Sequence, residues 1–262
     1  MNIYNYLIDT ISAKGAAFLI LIDPDKISGE KLVTFINKCE ENGVDGFLIG
    51  GSLMMNGDLS TTISTIKNNC SIPAVVFPGS VSQVTPNADA VLFLSLISGR
   101  NPEHLIGKHV LAAPLMKAYG IESIPTGYIL VESGSVTTAE YISGSRPIPR
   151  NKPEIAAATA LAAQYLGMKV VYLEGGSGAQ LSVPNEMISV VSECLDIPVI
   201  VGGGIRSAEC AREKVESGAK IIVTGNHFEQ EGNWNMIKEF ADSIHCKSSA
   251  LLEQPALKIN HS

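Results

Sequence analysis

The chain has little charge, few aromatics and no block of basic residues. Only 17% of its 262 residues are Asp, Glu, Lys or Arg, against about 25% in ordinary domains. Lys and Arg (19) are outnumbered by Asp and Glu (26), a net charge of −7, so the basic footprint of a nucleic-acid-binding protein is missing. The five cysteines, Cys39, Cys70, Cys194, Cys210 and Cys246, are odd in number and contain no Cys-x-x-Cys pair. That argues against a zinc cage and for reduced thiols. No apolar run approaches the ~18 residues needed to span a bilayer, and the N-terminus has no basic stretch leading to a cleavage site. A cytoplasmic location is expected. Gly-x-x-x-x-Gly-Lys, a well-placed Gly-x-Gly-x-x-Gly, His-Glu-x-x-His and a Ser-His-Asp set are all missing. P-loop, dinucleotide, zinc and triad chemistry therefore have no candidate residues.

What is present is apolar and rhythmic. Short runs rich in Val, Ile and Phe recur at residues 16–23, 46–51, 73–78, 90–97, 127–132, 169–174, 198–202 and 220–225. Most are apolar throughout, as buried parallel strands are. Helical spacing fills residues 29–42, 59–69, 102–119, 153–166, 184–194, 208–217 and 234–244. The stretch 80–87 is too short for more than a turn or two of helix. The pattern predicts a single α/β domain over 1–246, a (β/α)8 barrel whose third unit has a reduced helix, with 247–262 a poorly ordered tail. An open doubly wound sheet shares the local rhythm and is the alternative.

In a barrel, chemistry belongs where strands end. Those ends carry Asp23-Pro24-Asp25-Lys26, Gly50-Gly51-Ser52, Glu174-Gly175-Gly176-Ser177-Gly178, Gly202-Gly203-Gly204 and Gly225-Asn226-His227. Glycine lets the backbone approach a ligand, and N–H groups opening a helix accept phosphate oxygens. Gly203, Gly204, Gly225 and Asn226, with the Ser177 hydroxyl, fit a phosphate cup, although tight βα turns alone also call for glycine. Asp23 and Asp25 flank a stiffening proline near Ser52, a hard oxygen set suited to Mg2+; Asp25 or Ser28 could instead cap the helix at 29–42. Glu174 ends an apolar strand beside Tyr172, where a raised pKa would fit it for proton transfer; the alternative is a salt bridge to Arg206. Lys26 is the one lysine near a C-terminal strand end, which disfavours a Schiff base. His104, His109, His245 and His261 read as solvated, while His227 is placed to touch substrate.

At these residues the chain resembles the geranylgeranylglyceryl phosphate synthase family, which includes bacterial heptaprenylglyceryl phosphate synthases. The matching segments are LIDPDK (21–26), FLIGGS (47–52), VYLEGGSGA (171–179), VGGGIRS (201–207) and IVTGN (222–226). The resemblance implies Mg2+-dependent transfer of a prenyl group from a polyprenyl diphosphate, geranylgeranyl diphosphate for the DPDK-type branch, to the sn-3 hydroxyl of sn-glycerol 1-phosphate. It also implies Asp23 and Ser52 as metal ligands, Asp25 as a further candidate, and Glu174 as acceptor of the hydroxyl proton beside Tyr172. The glycerol phosphate would lie on Tyr172, Leu173, Glu174, Gly175, Gly176, Ser177, Gly178, Gly203, Gly204, Gly225 and Asn226. Bacterial heptaprenyl members place a lysine where this chain has Leu21, leaving Lys26 or Arg206 as the replacement cation. The prenyl groove is sought along residues 121–128 and in the loop 133–152 with Tyr141 and Ile142. Peripheral membrane contact and self-association, the latter through the apolar helix 153–166, are expected. The competing readings are another phosphate-binding barrel enzyme, an isomerase or thiamine-phosphate-type synthase, and a catalytically idle binding protein on the same fold.

Overall fold

A computed structural model describes residues 1–245; the tail 247–262, Cys246 and His261 lie outside the described residues. Eight parallel strands close in sequence order: β1 (Ala17–Ile22), β2 (Gly46–Ile49), β3 (Ala74–Val76), β4 (Ala90–Leu96), β5 (Glu122–Leu130), β6 (Val170–Glu174), β7 (Val199–Gly202) and β8 (Ile221–Thr224). The helices are α1 (Ile3–Lys14), α2 (Gly29–Glu41), α3 (Leu59–Asn69), α4 (Lys108–Tyr119), α5 (Thr138–Ser143), α6 (Pro153–Tyr165), α7 (Asn185–Glu193), α8 (Ala208–Glu216), α9 (Asn226–Glu229) and α10 (Ile237–Ile244). This is the (β/α)8 barrel, and the open sheet is set aside because β1 pairs with β8.

Alternation within the strands divides the core in two. Ala17, Leu19, Leu48, Val75, Leu92, Tyr172, Ile200 and Val223 fill the barrel. Phe18, Ile20, Phe47, Val76, Val171, Leu173 and Ile222 face the helices. Both faces are dry, which is why the strands read as continuous apolar runs. The amphipathic helix α1 closes the N-terminal end, placing Ile3 and Leu7 among the interior side chains. Its free N–H groups at Ile3 and Tyr4 donate to the Glu122 carboxylate at 2.5 and 2.9 Å, a favourable place for negative charge. At the same end the buried Asp45 accepts the Phe18 N–H at 2.8 Å and pairs with Lys14 and His245. His245 is thus engaged rather than solvated.

Two departures from the expected pattern, and one expected feature, bear on the site. The strand expected at 127–132 starts at Glu122: residues 122–124 pair with β4 alone, and Pro125, whose carbonyl accepts the Lys169 N–H at 2.8 Å, stands where pairing with β6 begins, an end position that admits a proline. Residues 121–128 are therefore barrel wall. The helix expected at 102–119 opens with a π-helical turn, Glu103–Gly107, before α4. The third unit does have a reduced helix, the 3-10 turn Val81–Gln83. With only that turn between β3 and β4, the outward-facing Val91 and Phe93 of β4 are left to line the cavity at the strand ends.

Candidate active site

A cavity of about 560 Å3 opens at the C-terminal ends of the strands and draws on all five loops singled out above. Glu174 forms its floor. It is the last residue of β6, faces inward and is 6% exposed. Its Oε1 accepts the Gly176 N–H at 2.6 Å, and the hydroxyls of Tyr172 and Tyr128 also hydrogen-bond to the carboxylate. Burial pushes the Glu174 pKa up, and these three donors pull part of that rise back. Burial and the neighbouring Glu174 charge in turn drive both tyrosine hydroxyls well above their usual range, so they remain protonated donors. No ion pair joins Glu174 to Arg206 among the described residues, so the salt-bridge alternative falls.

Aromatic packing fixes these groups. Tyr172 stacks on Phe77 at 5.4 Å between ring centroids, and Tyr128 meets both rings edge-on at 5.4 and 5.7 Å. Tyr128 and Tyr172 are register partners across β5 and β6. Tyr128 falls inside the strand expected at 127–132, but its place beside Glu174 depends on the register of β5 against β6, which no local pattern encodes. Its alternation with Ile129 was the available signal, and for the inward face alone.

Strands β6 to β8 build the glycine cup. Gly203 and Gly204 have φ of +85° and +71°, where a side chain is strained. A Cβ on Gly203 would stand 2.6 Å from both Glu174 Oε1 and the Gly176 nitrogen. Cup and carboxylate are thus packed directly on each other. Asn226 spans the rim, its Oδ1 accepting the Ser177 hydroxyl at 2.9 Å and the Gly178 N–H at 3.1 Å, while Nδ2 donates to Glu229. Tyr172, Glu174, Gly176, Ser177, Gly178, Gly203, Gly204, Gly225 and Asn226 line the cavity. Leu173 and Gly175 do not: Leu173 faces the helices, because side chains alternate along a strand, and the Gly175 N–H is spent on the Gly202 carbonyl.

On the opposite wall, Asp23 and Ser52 line the same cavity. Asp25 departs from its expected part. Its Oδ2 accepts the Met55 N–H at 2.7 Å and its Oδ1 those of Asn56 and Gly57, which together hold its pKa low. Both oxygens are committed to shaping the loop after β2, so Asp25 is neither a free ligand nor a helix cap; Ser28 also makes no side-chain cap bond. Among the described residues no three His, Cys, Asp or Glu side chains cluster as metal ligands. One carboxylate and one hydroxyl are a set that suits Mg2+ completed by water and phosphate. Leu21 is partly buried and packs against Gly225. Lys26 and Arg206 both line the cavity, and Arg206 donates to the Ala179 and Gln180 carbonyls.

The cavity runs on into an apolar groove where the third unit lacks its helix, lined by Val84, Val91, Phe93, Ala112 and Met116. Ile142 and Ser143 contribute from the loop 133–152, but Tyr141 is 79% exposed and outside the groove. His109 is buried here rather than solvated, bonded to Ser95 at 3.0 Å and edge-on to Phe93. His227 lines the cavity while its ring packs on Phe228 and Phe240.

A closed parallel barrel with a mouth cavity, a glycine cup and a buried carboxylate belongs to the class of (β/α)8 barrel enzymes. Within that class the chain belongs to the PcrB family, whose model matches residues 9–244. The geranylgeranylglyceryl phosphate synthase of Chitinophaga pinensis is 48% identical over 251 residues, 95% of this chain and 98% of that protein. That of Pyrococcus horikoshii is 46% identical over 230 residues, 87% of this chain and 89% of that one. The crystal structure of (S)-3-O-geranylgeranylglyceryl phosphate synthase from Thermoplasma acidophilum, in complex with sn-glycerol-1-phosphate, is similar with a TM-score of 0.86 and 34% identity, covering 94% of this chain and 99% of that one.

Proposed function

We propose that the protein transfers a geranylgeranyl group from geranylgeranyl diphosphate to the sn-3 hydroxyl of sn-glycerol 1-phosphate, forming an ether. The observation that carries this reading is the direct packing of the glycine cup on Glu174, in a cavity that continues into an apolar groove. The cup residues Gly176, Ser177, Gly178, Gly203, Gly204, Gly225 and Asn226 would hold the glycerol phosphate, with its free hydroxyl beside Glu174. The ionised carboxylate takes the proton as the oxygen attacks the allylic carbon, a step that positioned general bases accelerate by about 100-fold to 10,000-fold. Tyr128 and Tyr172 hold that carboxylate in place, and their faces suit positive charge developing on the allyl group. Asp23 and Ser52 would hold Mg2+ at the diphosphate. When bound, the metal neutralises charge on the departing diphosphate as a Lewis acid.

The groove along β4 would take the prenyl chain. At about 0.8 kcal/mol per buried carbon, one isoprene unit contributes up to about 4 kcal/mol, so groove length can select the donor. Contact with the cytoplasmic face of a membrane is part of the same reading, supported by exposed Val136, Tyr141 and Ile142 near the groove; among the described residues no helix is long and apolar enough to cross one. Exposed Ile155, Tyr165 and Leu166 on and just after α6 support self-association. The test is product formation from sn-glycerol 1-phosphate, Mg2+ and labelled prenyl diphosphates of graded length. A lipid phosphate with a clear length optimum is expected, and no product at any length would sink the reading.

A further inference from the structure

A buried glutamine joins the two loops opposite the glycine cup. Gln83 lies in the 3-10 turn after β3 and is 7% exposed. Its Nε2 donates to the Gly51 carbonyl at 3.0 Å, and its Oε1 accepts the Gly79 N–H at 3.0 Å. Both ends of the amide are therefore used, and by different loops: Gly51 follows β2, Gly79 follows β3. The loops touch through backbone, since a Cβ on Gly79 would collide with the Gly51 carbonyl and stand 3.1 Å from the Ser52 Cα. On its other side Gly51 lies against the Asp23 carboxylate, 3.4 Å from where its Cβ would be.

Two successive glycines, Gly50 and Gly51, leave this stretch with wide backbone freedom. The Gln83 amide removes it at the peptide that matters. No peptide bond in the described chain is cis, and in a trans peptide the carbonyl of one residue and the N–H of the next point in opposite directions. Tying the Gly51 carbonyl to Gln83 therefore turns the Ser52 N–H away from Gln83, while Ser52 itself lines the cavity beside Asp23.

We infer that Gln83 is a positioning residue for the diphosphate of the donor, holding the Gly51–Ser52 peptide so that the Ser52 N–H is presented to a phosphate oxygen while its hydroxyl stays free for the metal. The inference rests on the proposed reaction and goes beyond it, because Gln83 touches neither the metal ligands' oxygens nor the carboxylate that takes the proton. The alternative, that Gln83 merely fills space under the loops, predicts equal damage to both substrates.

The experiment compares wild type with Gln83→Glu, which keeps the volume and the acceptor for Gly79 but loses the donor to Gly51, and with Gln83→Leu, which loses both. Inorganic diphosphate binding with Mg2+ is measured by calorimetry, and KM is measured separately for each substrate. Both variants are expected to weaken diphosphate binding and raise the prenyl diphosphate KM by about tenfold, with the KM for glycerol phosphate unchanged. If Gln83→Leu does not fold, Gln83→Glu carries the test. Unchanged diphosphate binding, or equal weakening of both substrates, overturns the inference while leaving the reaction standing. A wild-type protein that forms no product overturns the reaction, and the inference with it.

Discussion

Replacing Tyr128 by Phe removes one hydroxyl and keeps the ring edge-on to Phe77 and Tyr172. That hydroxyl donates to the buried Glu174 carboxylate, so its loss disfavours the ionised form. A hydrogen bond to a charged group contributes about 1.5–3 kcal/mol, and about 1.4 kcal/mol corresponds to one pKa unit. Tyr128 is partly open to the cavity, so water replaces some of the lost interaction and an upward move of about one unit remains. The proposed base works only when ionised, and its pKa already lies above the usual carboxylate range because it is buried. The acid limb of kcat/KM for glycerol phosphate should therefore move to higher pH by about one unit in Tyr128→Phe, with the high-pH plateau little changed. Tyr172→Phe should move the limb the same way. The assay is a pH series of initial rates at saturating prenyl diphosphate. An acid limb that stays put or moves to lower pH would refute the assignment of Glu174 as the base and of Tyr128 as its partner.

Three other outcomes follow from the same geometry. Glu174→Gln should lower the rate by at least about 100-fold and yet raise the thermal midpoint near neutral pH. A carboxyl whose folded pKa lies above its unfolded one is most favourable to folding below the unfolded value and loses that advantage as pH rises through the folded one; calorimetric scans of both proteins against pH check this. Gly203→Ala puts a side chain at φ +85° and 2.6 Å from Glu174 Oε1, so activity should collapse together with a stability loss of about 1–3 kcal/mol, read by denaturant titration. Asp45→Ala should cost about 2 kcal/mol, mainly by leaving the Phe18 N–H unpaired, while the rate per folded molecule is unchanged because Asp45 lies at the far end of the barrel. Burial raises the Asp45 pKa, but hydrogen bonds from His245, Lys14 and the Phe18 N–H outweigh it and the net shift is downward. Its contribution is therefore present above the unfolded carboxyl pKa and should vanish as pH falls through the folded one, which denaturant titrations at descending pH would show.

The barrel was legible in the sequence because parallel strands dry on both faces leave continuous apolar runs, and because Gly203, Gly204 and Gly225 mark where strands give way to a ligand-facing turn. Seven of the eight strand positions follow from that contrast. The fifth begins earlier than its apolar run because Pro125 and Thr126 break that run, and only the three-dimensional pairing shows that residues 122–124 lie beside β4 before β6 begins. The helix α1 leaves no mark in the β/α rhythm because it precedes the first unit and serves as a plug rather than as part of the repeat.

The site was legible where chemistry is local and obscure where it depends on residues far apart in the chain. Glu174 and Gly176 are two residues apart, so a turn can join them and the motif shows it. The bonds Tyr128–Glu174, Gln83–Gly51 and Asp45–His245 cross intervals that no local pattern encodes. Asp25 illustrates the converse. Its spacing from Asp23 fits a metal ligand, but three amide N–H groups from the loop after β2 reach it first. A carboxylate surrounded by N–H donors has little left to offer a cation, whereas Asp23 keeps an oxygen beside Gly51 and Ser52. Overall acidity follows the same logic. A chain of net charge −7 attracts no anion from a distance, so any anionic ligand must be bound by short-range means. The mouth supplies them in the N–H groups of the glycine turns and in Lys26 and Arg206 at its rim.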